Sequence, residues 1–174
     1  MMNGPIPPHV DPRKYADREI TLKGEIALAE FARVCDLLSS DAGSVQVTLE
    51  FRRDEQKVAL LHLTLQSTVQ MICQRCLGDA ALPVEAECTY AMVWPGTDES
   101  QLPKGYDALE VDEEPLALYP LIEDELLLAL PIIPMHPLED CHPVELDSSI
   151  VGEEVQESNP FSILAQLKKR DPNV

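Results

Sequence analysis

The sequence predicts an α+β fold: an antiparallel β-meander sheet packed with two or three helices, followed by a short C-terminal helix on an acidic linker. Three observations lead there. The runs "SVQVTLEFRRD", "VALLHLTLQSTVQMIC" and "LPVEAECTYAMVW" alternate apolar and polar residues with period two. "DEQK" and the CxxC turn connect them, giving three long antiparallel strands in a meander plus a shorter strand before the helix. Helical periodicity appears only outside this block. The expected organisation is one α+β domain over residues 1–142 with a proline-rich lead-in, an acidic linker over 143–158, and an amphipathic helix with tail over 159–174.

In chain order, Pro5, Pro7, Pro8 and Pro12 make residues 1–17 an extended lead-in with no regular helix. "REITLKGEI" is a short strand. "ALAEFARVCDLL" places Leu28, Phe31, Ala32, Cys35 and Leu38 on one helical face, with Cys35 as a small core residue. "SSDAGS" ends that helix. In the meander, Val45, Val47, Leu49 and Phe51 point to one side, as do Leu61, Leu63 and Leu65 on the next strand. His62 falls on the opposite side, as a sheet-face residue and not a ligand. Cys88 shares its parity with Val84, Ala86 and Tyr90 and packs with them.

"PGTDESQLPKGYDALEVDEE" reads as an irregular acidic loop. The next segment, "PLALYPLIEDELLLALPIIP", is a helix with Pro120 in its first turn and a stripe through Ile122, Leu126 and Ala129. Glu123, Asp124 and Glu125 suit its positive end, and Pro131 stops it. So many leucines require most of this helix to be covered, by the sheet or by a partner. In the last segment, Asn159 caps and Pro160 opens a helix with the stripe Phe161, Leu164 and Leu167. Lys168, Lys169 and Arg170 lie at its negative end.

Thirteen basic residues stand against 31 acidic ones, a net charge of −18, which disfavours non-specific binding to a phosphate backbone. The imbalance is segregated: from Gly105 to Leu167 there is no Lys or Arg. Such a surface keeps a chain in solution and attracts basic partners. No signal-peptide pattern opens the chain and no apolar run is long enough to span a bilayer. An odd number of cysteines, five, fits a reducing compartment, so a cytoplasmic protein without a membrane is expected. There is no GxSxG, P-loop or HExxH, and nothing argues for an enzyme.

The cysteine pair Cys73-x-x-Cys76 follows a strand. A tight turn at this spacing aims both sulfurs at one point, which supplies one edge of a tetrahedral zinc site. The cluster "PMHPLEDCHP" offers the other edge through His136 and Cys141, with His142 competing. The two clusters lie far apart in sequence, and only the fold can join them. A redox role is weaker, because a redox CxxC opens a helix and this pair precedes "LGDAALP", which leads into a strand. Reduced thiols without metal are the third reading.

Three blocks, "CQRCL" after a strand, "IEDELLLALPIIPMH" with a cysteine soon after, and "NPFSILAQLKK" near the end, resemble the proteobacterial form of the bacterial YceD family. These are the large ribosomal RNA subunit accumulation proteins, with plant relatives in plastids. The resemblance runs through most of the chain in the same order. It implies a role in synthesis, processing or stability of 23S rRNA, with no assigned enzymatic activity. It also implies that Cys73 and Cys76 match the family's first cysteine pair. His136 then replaces a later cysteine, Cys141 keeps another, and "HPVELD" departs from the further cysteines of relatives. With the charge segregation, this points to an acidic adaptor: the 105–167 surface holds a basic ribosomal protein or assembly factor of the large subunit, and the 159–170 helix docks. The alternatives are direct contact with 23S rRNA through a zinc-organised loop carrying Arg75, helped by Arg52, Arg53 and Lys57, and a nuclease on precursor RNA.

Overall fold

A computed structural model of the chain describes residues 2–96 and 106–142. The expected linker at 143–158 and helix at 159–174, with Phe161, Leu164, Leu167, Lys168, Lys169 and Arg170, lie outside the described residues. The fold is α+β, as the alternation predicts. The elements in chain order are β1 (Met2–Asn3), β2 (His9–Val10), α1 (Pro12–Asp17), β3 (Thr21–Ala27), a 3-10 turn (Leu28–Glu30), α2 (Ala32–Cys35), β4 (Ser44–Arg53), β5 (Ala59–Ile72), β6 (Asp79–Val93), β7 (Asp107–Glu110), β8 (Leu116–Ala117) and α3 (Leu118–Ala129). One sheet has the order β1-β3-β4-β5-β6-β7, and β2 pairs with β8 in a small second sheet. The core of the sheet, β3 to β6, is an antiparallel meander. The short flanking strands β1 and β7 join in parallel.

Register explains the core. Leu22, Leu49, Leu63 and Cys88 form one cross-strand row, and Phe51, Leu61 and Tyr90 another. Period-two alternation therefore stacks apolar side chains on one face, where α1 packs on β4 and β5 and α3 on β6. The opposite face carries polar rows, such as Glu25, Gln46, Gln66 and Glu85. His62 lies on that face, half-buried, with Nδ1 2.9 Å from the Thr89 hydroxyl. Gly24 is needed where the lead-in crosses β3, because a Cβ there would come within 2.4 Å of the Gly4 carbonyl oxygen.

Four expectations change. The lead-in holds a helix: Pro12 sits at its start, where a missing N–H costs nothing, and the Asp11 carboxylate accepts from Lys14 N–H at 3.1 Å. The helix expected at 27–38 is a 3-10 turn followed by the single turn α2. Its buried residues, Leu28, Phe31 and Val34, recur every three positions, so Val34 enters the core and Ala32 is exposed. The acidic loop contains β7, which pairs with Tyr90–Val93 of β6. Finally, α3 begins at Leu118, so its acids lie past the first turn. Glu123 and Asp124 instead clasp Arg33, each at 2.7 Å, and Tyr90 donates its hydroxyl to Glu125. These contacts anchor α3 to α2 and β6.

Leu118, Ile122 and Leu126 line the buried side of α3 at spacing i, i+4. Leu126 is fully buried. Leu126→Ala is expected to lower unfolding free energy by about 2–5 kcal/mol, read as a lower urea midpoint at unchanged slope. On the opposite side Leu128 is 79% exposed.

Candidate metal centre

The strands β5 and β6 form a hairpin whose register ends at Ile72 opposite Asp79. The residues left over, Cys73 to Gly78, make a knuckle. Cys73 N–H donates to the Gly78 carbonyl at 2.8 Å, and Leu77 N–H to the Cys73 carbonyl at 2.9 Å. Leu77 takes a left-handed conformation, φ +60°. This turn points both cysteine sulfurs the same way.

The segment after α3 reaches the knuckle from the other side. Pro131 ends the helix, and Gln74 N–H donates to the Pro134 carbonyl at 2.9 Å. His136 and Cys141 arrive there, so Cys73, Cys76, His136 and Cys141 each place a ligand atom within 4.8 Å of the other three. Sulfurs at the usual zinc distance of about 2.3 Å lie roughly 3.8 Å apart in a tetrahedron. Here Cys73 Sγ and Cys141 Sγ are 3.9 Å apart, and Cys76 Sγ lies 3.3 Å from His136 Nδ1. Cys73, Ala80 and Cys141 form a small buried cluster of their own.

The histidine tautomer is set by the fold. His136 Nε2 lies 2.8 Å from the Asp79 carbonyl oxygen. A carbonyl only accepts, so Nε2 carries the proton and Nδ1 presents its lone pair to the sulfurs. This is the outer-shell arrangement that orients a metal-binding imidazole. The buried thiols Cys73 and Cys141 are shifted in opposite directions. Burial pushes Cys73 up, but main-chain N–H groups of Cys76, His136 and Arg75, with the Cys76 side chain, pull it down to about 5. Burial and the neighbouring Cys76 and Cys73 sulfurs push Cys141 up. Cys73 thus favours the thiolate form, and Cys141 would need a cation to hold its own.

Three sulfurs and one nitrogen within 4.8 Å of one another, with the Cys73–Cys141 pair at the spacing of a zinc tetrahedron, fit zinc, and four protein donors would leave no open position for water or substrate. The arrangement suits a structural tie between the hairpin and the residues after α3. A catalytic metal needs an open position.

The sequence model of a family described as "Large ribosomal RNA subunit accumulation protein YceD" matches residues 61–168. The chain belongs to the YceD family. A relative from Haemophilus influenzae with that name, "Large ribosomal RNA subunit accumulation protein YceD", is 34% identical over 170 residues, covering 95% of this chain and 97% of the relative. No solved structure matches the chain. The YceD match begins before Cys73 and ends after Cys141, so it contains both halves of the centre.

The other candidates separate in space. His142 is exposed and outside the cluster. Arg75 sits in the knuckle, with a guanidinium nitrogen 3.6 Å from Met135 Sδ. Arg52, Arg53 and Lys57 lie at the far end of the β4–β5 hairpin. β5, 14 residues long, puts about 45 Å between them and the knuckle. Arg53 is already engaged by Asp17 at 2.7 Å. The remaining cysteines are set apart from the centre: burial and the Glu125 carboxylate push Cys88 up to about 12, and burial also raises Cys35. Among the described residues no helix is long and apolar enough to cross a membrane. Sequence reasoning missed the Asp79 carbonyl and the N–H groups around Cys73. Main-chain groups belong to every residue type and leave no signal.

Proposed function

We propose that this chain is a non-enzymatic factor in the accumulation of 23S rRNA, built around a structural zinc at Cys73, Cys76, His136 and Cys141. It acts in the cytoplasm as an acidic adaptor for a basic ribosomal protein or assembly factor of the large subunit. Family membership supports the process, and charge segregation supports the adaptor. From Tyr106 to His142 the described chain carries ten carboxylates and no Lys or Arg. Of the basic residues elsewhere, Lys14, Arg33 and Arg53 are paired with carboxylates. Such a surface attracts Lys/Arg-rich segments and repels phosphate.

Direct rRNA contact is the second reading, and it rests on Arg75 in the knuckle. Among the described residues it lacks a continuous basic footprint, since Arg52 and Arg53 stand at the other end of β5. A nuclease would need an open metal position, which a closed Cys3His set does not offer.

The test is affinity purification of the full chain at physiological salt, with and without RNase, read by mass spectrometry and RNA sequencing. The adaptor reading expects a basic large-subunit protein or assembly factor to survive RNase. Recovery of 23S rRNA alone, with all proteins lost on RNase treatment, would overturn it in favour of direct RNA contact.

A further inference from the structure

Apolar exposure gathers beside the metal centre. After α3 the chain runs Pro131-Ile132-Ile133-Pro134 as a ridge between two grooves. Ile132 is 98% exposed on the side of one groove, where Leu38, Met71 and Leu127 contribute to the wall. Ile133 is 61% exposed on the side of the other, against Leu82, Pro83 and Met135. The grooves are about 550 and 450 Å³.

Ile132 buries almost nothing and Ile133 less than half of its surface, so the pair adds little to the core. The ridge is nonetheless tied at a few points. Prolines fix φ at both ends, the Pro134 carbonyl takes the Gln74 N–H, and His136 is pinned on Asp79. The knuckle repeats the pattern. Leu77 is 67% exposed and left-handed, a position where glycine would cost less.

The rim identifies the occupant. Asp36, Asp79, Glu139 and Asp140 are exposed around the ridge and knuckle, and among the described residues none of them forms an ion pair. Among the described residues lining the two grooves Arg75 is the one cation, turned toward Met135. An apolar ridge in an acidic rim disfavours a second copy, which would bring like charges together, and RNA, whose phosphates the rim repels.

We propose that the Pro131–Pro134 ridge, positioned by the Cys/His centre, is the docking surface for a partner segment with apolar side chains flanked by Lys or Arg. This rests on the adaptor reading and locates its contact. Apolar side chains of the segment fill the two grooves, and its cations meet the four carboxylates.

The test uses the full chain on an array of overlapping 15-residue peptides covering the large-subunit ribosomal proteins, alongside I132D/I133D and the milder I132S/I133S. Both sites are exposed, so the variants keep the fold, checked by circular dichroism and zinc content. The expected result is signal from apolar-centred basic peptides, reduced at least tenfold in both variants. Equal signal in wild type and variants, or equal signal from basic peptides lacking apolar residues, overturns the ridge. So does signal that appears only after residues 159–174 are deleted, which makes the chain itself the occupant. The RNase-resistant purification separates the two failures: a partner retained by I132D/I133D sinks the ridge and leaves the adaptor standing, whereas no protein partner in wild type sinks both.

Discussion

Cys141→Ser is expected to abolish tight zinc retention and free the segment after α3. Outer-shell changes alone cost about 10–100-fold in metal affinity, so removing one of four ligands is expected to cost more than about a hundredfold. Competition with a chromophoric chelator reads this directly. The structural consequence follows from how little else holds residues 131–142. They lie beyond the last helix, and their main-chain tie to the sheet is the Gln74 bond to Pro134, helped by His136 on Asp79. With the metal lost, amide exchange is expected to rise across 131–141 and at the knuckle, while β4 and the paired centre of β5 keep their protection. Zinc at a hundred times its Kd stabilises a folded chain by about 2.7 kcal/mol, and the variant is expected to lose this gain in thermal melts. Cys88→Ser is the control: Cys88 lies within β6, outside the cluster, and its loss should leave zinc affinity unchanged. Equal affinity in wild type and Cys141→Ser would contradict the assignment of ligands.

Zinc affinity is also expected to rise at least tenfold per pH unit between about pH 6 and 8, because each proton released on binding contributes a factor of ten per unit. Cys141 is raised in the metal-free chain, so it is protonated there and must release its proton to the solvent when it binds. Cys73, held down to about 5, is already a thiolate in this range and adds nothing to the slope. Below about pH 5 Cys73 protonates as well, and the slope steepens. The same shift acts on folding of the metal-free chain with the opposite dependence to a raised group. Since the folded value is below the ordinary thiol value, the Cys73 contribution to stability is complete above that ordinary value. It is lost as pH falls toward 5. Isothermal titration in buffers of different ionisation enthalpy counts the protons. A slope of zero would show that no ligand thiol is protonated before binding.

The meander could be read in the sequence because each strand has one buried face, and period two reports that directly: Val45, Val47, Leu49 and Phe51 are all buried. Elements fixed by distant contacts could not. β7 pairs with β6 in parallel, a non-local choice with no periodic trace in four residues. α1 was hidden by Pro12, a helix breaker inside but compatible at the first position. The 27–38 segment matched a 3.6-residue period, and the chain took a three-residue one, with Val34 inward in place of Ala32. The acids of α3 resembled dipole partners until Arg33, ninety positions away from Glu123, claimed them. The centre was half legible. Ligand types and the two clusters stand in the sequence, whereas their meeting depends on a hairpin and a helix end brought together by the sheet. The choice of His136 over His142 depends on a main-chain carbonyl.

The arrangement that positions the ridge is a metal tie between the knuckle and the residues after α3. X-ray absorption at the zinc edge on the full chain, purified without added metal, tests it most directly. One zinc per chain is expected, with three sulfur neighbours at about 2.3 Å and one nitrogen at about 2.0 Å. Zinc bound mainly by oxygen, or a chain that holds no metal and takes up none when zinc is supplied, would contradict it.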